Sequence, residues 1–179
     1  MTTIDNIPKY NKFSKETTEL FTQMSEYLDT SLIFYGSILR HDYVKNKSDI
    51  DIAVFADNEY SMITKLSHFL RTHKKNFKKV LWKLNDKMVY GYKIKCNKFM
   101  SINCEIAIYN TMFKPLLLEE YNSPQDWSIL VRILIVIIKF FHYTIPLLSS
   151  YTYSYYKRVV MNIMNGNKKS EFLIVNNKS

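Results

Sequence analysis

FYGSILRHDYVKNKSDIDIAVF, residues 34–55, is the stretch whose reading decides the fold. A short apolar run, Leu32 to Tyr35, reads as a buried strand that stops at Gly36. Glycine at such a stop lets the backbone approach a ligand closely. The segment from Ser37 to about Asp42 is expected to open a short helix there, whose free N–H groups suit phosphate. The Ser37 hydroxyl adds one more donor. Asp49-Ile50-Asp51 follows and runs into Ile52 to Phe55, carboxylates alternating with apolar residues before the run becomes wholly apolar. That is the pattern of a strand leaving an active-site edge for the core, with both carboxylates on one face. Like charges so close repel, and a divalent cation between them relieves the repulsion. A phosphate cradle beside a paired-carboxylate strand is what magnesium-assisted phosphoryl transfer requires.

Working outward, Ser14 to Leu28 carries Leu20, Phe21, Met24, Tyr27 and Leu28 at helical spacing, and Asn58 to Thr72 carries Met62, Ile63, Leu66, Phe69 and Leu70 in the same way, with Asn58 as its cap. Lys79 to Leu84, Met88 to Lys95 and Ser101 to Tyr109 read as three strands, joined by turns at Asn85-Asp86 and Asn97-Lys98. The remainder reads as helices: about Pro115 to Glu120, Pro124 to Tyr143 with Ser123 as cap and Pro146 as stop, and Tyr153 to Met164. The outline is α/β (α+β): a mixed β-sheet flanked by helices over residues 1–112, then a helical C-terminal segment over 113–179. The start, to about Lys15, and the polar tail after Asn165 are expected to fray.

Gly-Ser, a spacer of this length and Asp-apolar-Asp between apolar residues resembles the signature of the nucleotidyltransferase superfamily, whose members have a polymerase-beta-like fold. The likeness is sharp over Leu32 to Phe55, looser to about Tyr109, and absent from residues 110–179. Ser48 before Asp49 is similar to the small, minimal members; small X-family DNA polymerases are also similar. The resemblance implies a third carboxylate on a neighbouring strand. Glu105, a lone acid in Ile102 to Ile108, is the candidate, where the family more often carries Asp. It further implies two Mg²⁺ ions, with Mn²⁺ a substitute, held by Asp49, Asp51 and Glu105. The expected reaction moves a nucleoside monophosphate from an NTP or dNTP to an acceptor hydroxyl, releasing pyrophosphate. Glu105 then serves as metal ligand or general base. Gly36 and Ser37 hold phosphates. Arg40 and His41 either contact the triphosphate or form a surface pair, and Ser48 shapes the turn before the strand.

The acceptor stays open among RNA, tRNA, DNA, a protein and a small molecule. The alternative is a catalytically silent member of the fold that works as a binding module, antitoxin-like or as a nucleic-acid-binding subunit. The net charge of +9 favours anionic partners in general. The basic run Lys74, Lys75, Lys78, Lys79 and Lys83 reads as a solvated face, and Tyr151, Tyr153, Tyr155 and Tyr156 as packing residues. Two cysteines, four scattered histidines and a polar start exclude a disulfide scaffold and a zinc finger, and point to a reducing intracellular setting. Ile129 to Leu148 has the length of a bilayer span, but Arg132, Lys139 and His142 inside it argue for a soluble helix with a wide buried face and a narrow basic stripe.

Overall fold

The computed structural model describes residues 13–40, 42–45, 47–84, 86–99, 102–122, 129–145, 147–164 and 171–175. Helix α1 (Lys15–Leu28) starts where the Ser14 hydroxyl accepts from the Thr17 N–H at 3.2 Å, and ends at Asp29 in the left-handed region. Its buried face is Leu20, Phe21, Met24 and Leu28, while Tyr27, placed with them by the helical spacing, is 52% exposed. Strand β1 (Ile33–Tyr35) runs into a single 3₁₀ turn, Gly36–Leu39. The helix expected as far as Asp42 therefore stops early, with Arg40 already extended. Strand β2 (Ile50–Ala56) leads to α2 (Glu59–Phe69), whose Asn58 cap accepts from the Ser61 N–H. Strands β3 (Lys78–Leu84), β4 (Lys87–Phe99) and β5 (Ile102–Asn110) follow, then helices α3 (Lys114–Asn122), α4 (Ile129–Tyr143) and α5 (Ser150–Met164). The cap expected at Ser123, the helix start at Pro124, the stop at Pro146 and half of the Asn85-Asp86 turn lie outside the described residues.

One departure from the expected outline is β6 (Glu171–Val175), which pairs antiparallel with β3. A tail read as fraying thus ends in a six-stranded sheet of order β1-β2-β5-β4-β3-β6. Only β2 and β5 run parallel among these pairs. The period of two divides each strand between the faces. Ile50, Ile52 and Val54 of β2 and Cys104, Ile106 and Ile108 of β5 join the core under α1 and α2. Ala53, Phe55, Ala107 and Tyr109 join a second core with Leu117 of α3. Asp51 and Glu105 share that second face, and they are register partners.

Helix α4 departs from the expected orientation at Lys139 and along much of its apolar face, while Arg132 is exposed as expected. It buries Ile135 and Lys139, while Ile133, Leu134, Val136, Ile137, Phe140 and Phe141 are exposed. Among the described residues no helix is long and apolar enough to cross a membrane. Cys96 and Cys104, partners across β4 and β5, are buried free thiols.

Candidate active site

A cavity of about 430 Å³ opens at the end of β2 and β5. Gly36, Ser37, Arg40, Ser48, Asp49, Asp51 and Glu105, all anticipated, line it. Gly36 has φ +72°, and a Cβ there would lie 2.5 Å from Asp51 Oδ2. Any other residue would be both strained and in collision with the carboxylate, so the glycine sets how closely the turn approaches β2. Ser48 is buried; its hydroxyl accepts from the Val44 N–H at 3.2 Å and its own N–H donates to the Val44 carbonyl, closing the loop that delivers Asp49. His41 lies outside the described residues.

The three acids have different surroundings. Asp49, one residue before β2, pairs with Lys95 at 2.8 Å. Glu105 pairs with Lys93, one pleat further along β4. Asp51 is pushed up to about 7: burial disfavours its charge, Glu105 and Asp49 repel it, and Lys93 and Lys157 compensate only in part. Three carboxylates at one cavity are hard oxygen donors of the kind magnesium prefers, and Asp51 lacks a full countercharge, so the donor set fits a divalent cation. Among the described residues no three His, Cys, Asp or Glu side chains already converge as a metal cage. The lysine pairs at Asp49 and Glu105 each engage one carboxylate oxygen, Oδ2 and Oε1.

Arg40 is engaged sideways. Its Nε donates to Asp42 Oδ1 at 2.8 Å, and Lys139 Nζ donates to Asp42 Oδ2 at 2.8 Å. Burial alone would raise Asp42, but the bonds from Arg40 and Lys139 outweigh it and hold the carboxyl at about 2. Lys139 thus leaves the solvated stripe expected of it, because its ammonium reaches a buried carboxylate.

Sequence reasoning missed the far wall. Tyr121 of α3 stacks on Tyr35 with centroids 4.2 Å apart, and Lys139 and Tyr143 of α4 with Tyr153 and Lys157 of α5 join the lining, as do Trp82 and Glu120. Tyr153 does pack, stacked on His142 at 4.2 Å, while Tyr151, Tyr155 and Tyr156 are exposed. No local signal marks these residues as neighbours of Asp51; only the folded path of the chain does.

A mixed sheet that sets two register-paired acids against a glycine-serine turn defines a protein of the nucleotidyl-transfer class. Residues 12–113, more than half of the chain, match the family described as the nucleotidyltransferase domain, and the chain belongs to that family. No curated protein matches the sequence significantly. Among solved structures, it is similar to a cytoplasmic RNA terminal U-transferase, at 19% identity over 70% of this chain and 41% of the other, with TM-score 0.33. It is also similar to the RNA terminal uridylyl transferase Cid1, at 19% identity over 71% and 41%, with TM-score 0.32. Overlaps this loose carry no functional statement, and the chain spans about 41% of the length of each of those proteins.

Proposed function

We propose that this cavity transfers a nucleoside monophosphate from an NTP or dNTP to an acceptor hydroxyl, and that the transfer requires magnesium. The observation that carries the reading is Asp51: a carboxylate pressed against Gly36, opposite Glu105 in register, and short of countercharge. Magnesium bound by Asp49, Asp51 and Glu105 would neutralise the acids, hold the triphosphate and acidify the attacking hydroxyl. The Gly36-Ser37 turn supplies N–H and hydroxyl donors to the phosphates. Lys157, on the same wall, adds a cation beside them. The acceptor oxygen bonds the α-phosphorus as the α–β bridging oxygen leaves with pyrophosphate, and the acceptor's proton passes to a carboxylate of the cluster.

The test is incubation with Mg²⁺ and each α-labelled NTP or dNTP, with RNA, primed DNA and total protein as acceptors. The Asp49→Asn/Asp51→Asn variant is the blank. Label moved by the wild type alone supports the reading; a folded protein that moves none onto any acceptor rejects it.

A second reading, a silent binding module, draws on one observation. Lys95 and Lys93 already neutralise Asp49 and Glu105. It predicts thermal stabilisation by NTP that is indifferent to Mg²⁺, whereas the transfer reading predicts stabilisation that depends on it.

A further inference from the structure

A second cavity, of about 640 Å³, adjoins the first. It lies between the far ends of β4 and β5, which supply Lys95, Asn97 and Asn103, and the α4–α5 pair, which supplies Lys157 and Arg158; Lys47 comes from the loop before β2. The two cavities share Asp49, Tyr143, Tyr153 and Lys157, so they meet at the candidate site.

Their charges differ in sign. The first holds the acids Asp49, Asp51, Glu105 and Glu120 against Arg40 and Lys139, both engaged by Asp42, and Lys157, which it shares with the second. The second holds Lys47, Lys95, Lys157 and Arg158 against Asp49, which Lys95 pairs already; Lys47 donates to the Tyr143 carbonyl, a neutral partner that leaves its charge in the trough. A basic trough leading to an acidic recess suits a ligand with several phosphates along its length and a neutral, reactive end. The trough also has an aromatic side. Tyr153 and His142 stack with planes 9° apart, and Tyr143 lies beside them. The pair covers one face of each ring, and the faces turned away from it suit a stacked base without regard to sequence, while the Asn97 amide suits base or ribose edges. Lys74, Lys75, Lys78, Lys79 and Lys83 are basic too, but none of these lysines lines either cavity, although Trp82 among them lines the first.

We propose that this trough binds a single-stranded polynucleotide and leads its terminal hydroxyl to Asp49. The proposal rests on the transfer reading for the fate of that hydroxyl, but the binding itself requires neither metal nor nucleotide.

The test is fluorescence anisotropy of labelled single-stranded RNA and DNA oligonucleotides with the full chain, in EDTA, across a salt series. Binding is expected to weaken with salt, with a log–log slope of about −2 for three phosphate contacts, Lys95 being paired by Asp49. Lys47→Gln/Arg158→Gln is expected to weaken binding about tenfold or more and to flatten the slope by about 1 to 2. The same variant should keep the thermal shift given by Mg²⁺ and NTP, which also shows that it folds. Lys74→Gln/Lys75→Gln is the control, expected to bind within about twofold of wild type. The proposal is overturned if neither oligonucleotide binds, if the control variant loses as much as the trough variant, or if an acidic polypeptide such as poly-glutamate competes better than the oligonucleotides. Oligonucleotide binding without transfer would reject the transfer reading and keep the trough. Transfer onto another acceptor without oligonucleotide binding would do the reverse.

Discussion

Helices α1 and α4 have 14 and 15 residues, yet they relate to the protein in opposite ways. Helix α1 is amphipathic and sinks its apolar face into the sheet, where Phe21 and Met24 are almost wholly buried. Helix α4 is far more apolar and leaves most of that surface open. It packs on α5, where His142 stacks on Tyr153, and is tied to the loop before β2 by polar contacts: Lys139 on the side chain and carbonyl of Asp42, and Lys47 on the carbonyl of Tyr143. The sheet side is thus organised by apolar burial and the α4 side by a buried ion pair. Apolar content makes a segment helical; it does not decide which surface covers it.

The largest effect that would sharpen this contrast is chemical. Asp49→Asn/Asp51→Asn should lower nucleotidyl transfer by about 1000-fold or more while circular dichroism shows the fold intact. Next, Lys139→Ala leaves Asp42 buried with less countercharge and should cost about 3 kcal/mol in urea unfolding. A loss below about 0.5 kcal/mol would break the comparison, since α4 would then stand on packing. The third test applies one substitution on both sides. Val54→Ala, at a fully buried position of β2, should cost about 2 kcal/mol, whereas Val136→Ala, at a position 53% exposed on α4, should stay within about 0.5 kcal/mol. Equal costs would mean that α4 is covered in solution. The smallest effect is in pH. Asp42 is lowered to about 2 from an ordinary value near 3.8, so its contribution is present above 3.8 and is lost as pH falls through about 2. Acid unfolding should therefore show a step of about 2 kcal/mol across that window, absent from Asp42→Asn.

The strands and the acids were legible because their signals are local. A period of two and a lone acid amid apolar residues placed Glu105 on a strand, and Gly36-Ser37 with Asp49 and Asp51 lie within one short stretch of chain. The 3₁₀ turn was read too long because four residues hold too little pattern to separate it from a helix. Strand β6 was missed because its pairing with β3 is a contact across most of the chain, at Lys79 with Val175 and onward. Lys139 was misread for the same reason. A lysine on an apolar helix looks solvated until its partner, 97 residues earlier, is known.

The Asp42–Lys139 contact also bears on inheritance. The family match ends at residue 113, but Asp42 inside it is neutralised partly from beyond that boundary. A lineage that exchanged its helical tail for another would carry over an acid in want of a cation. The new tail would have to present a positive charge where Lys139 now sits, or residue 42 would have to change with it. Residues 42 and 139 would therefore have to change together, and the electrostatic unit of the structure extends past the family boundary.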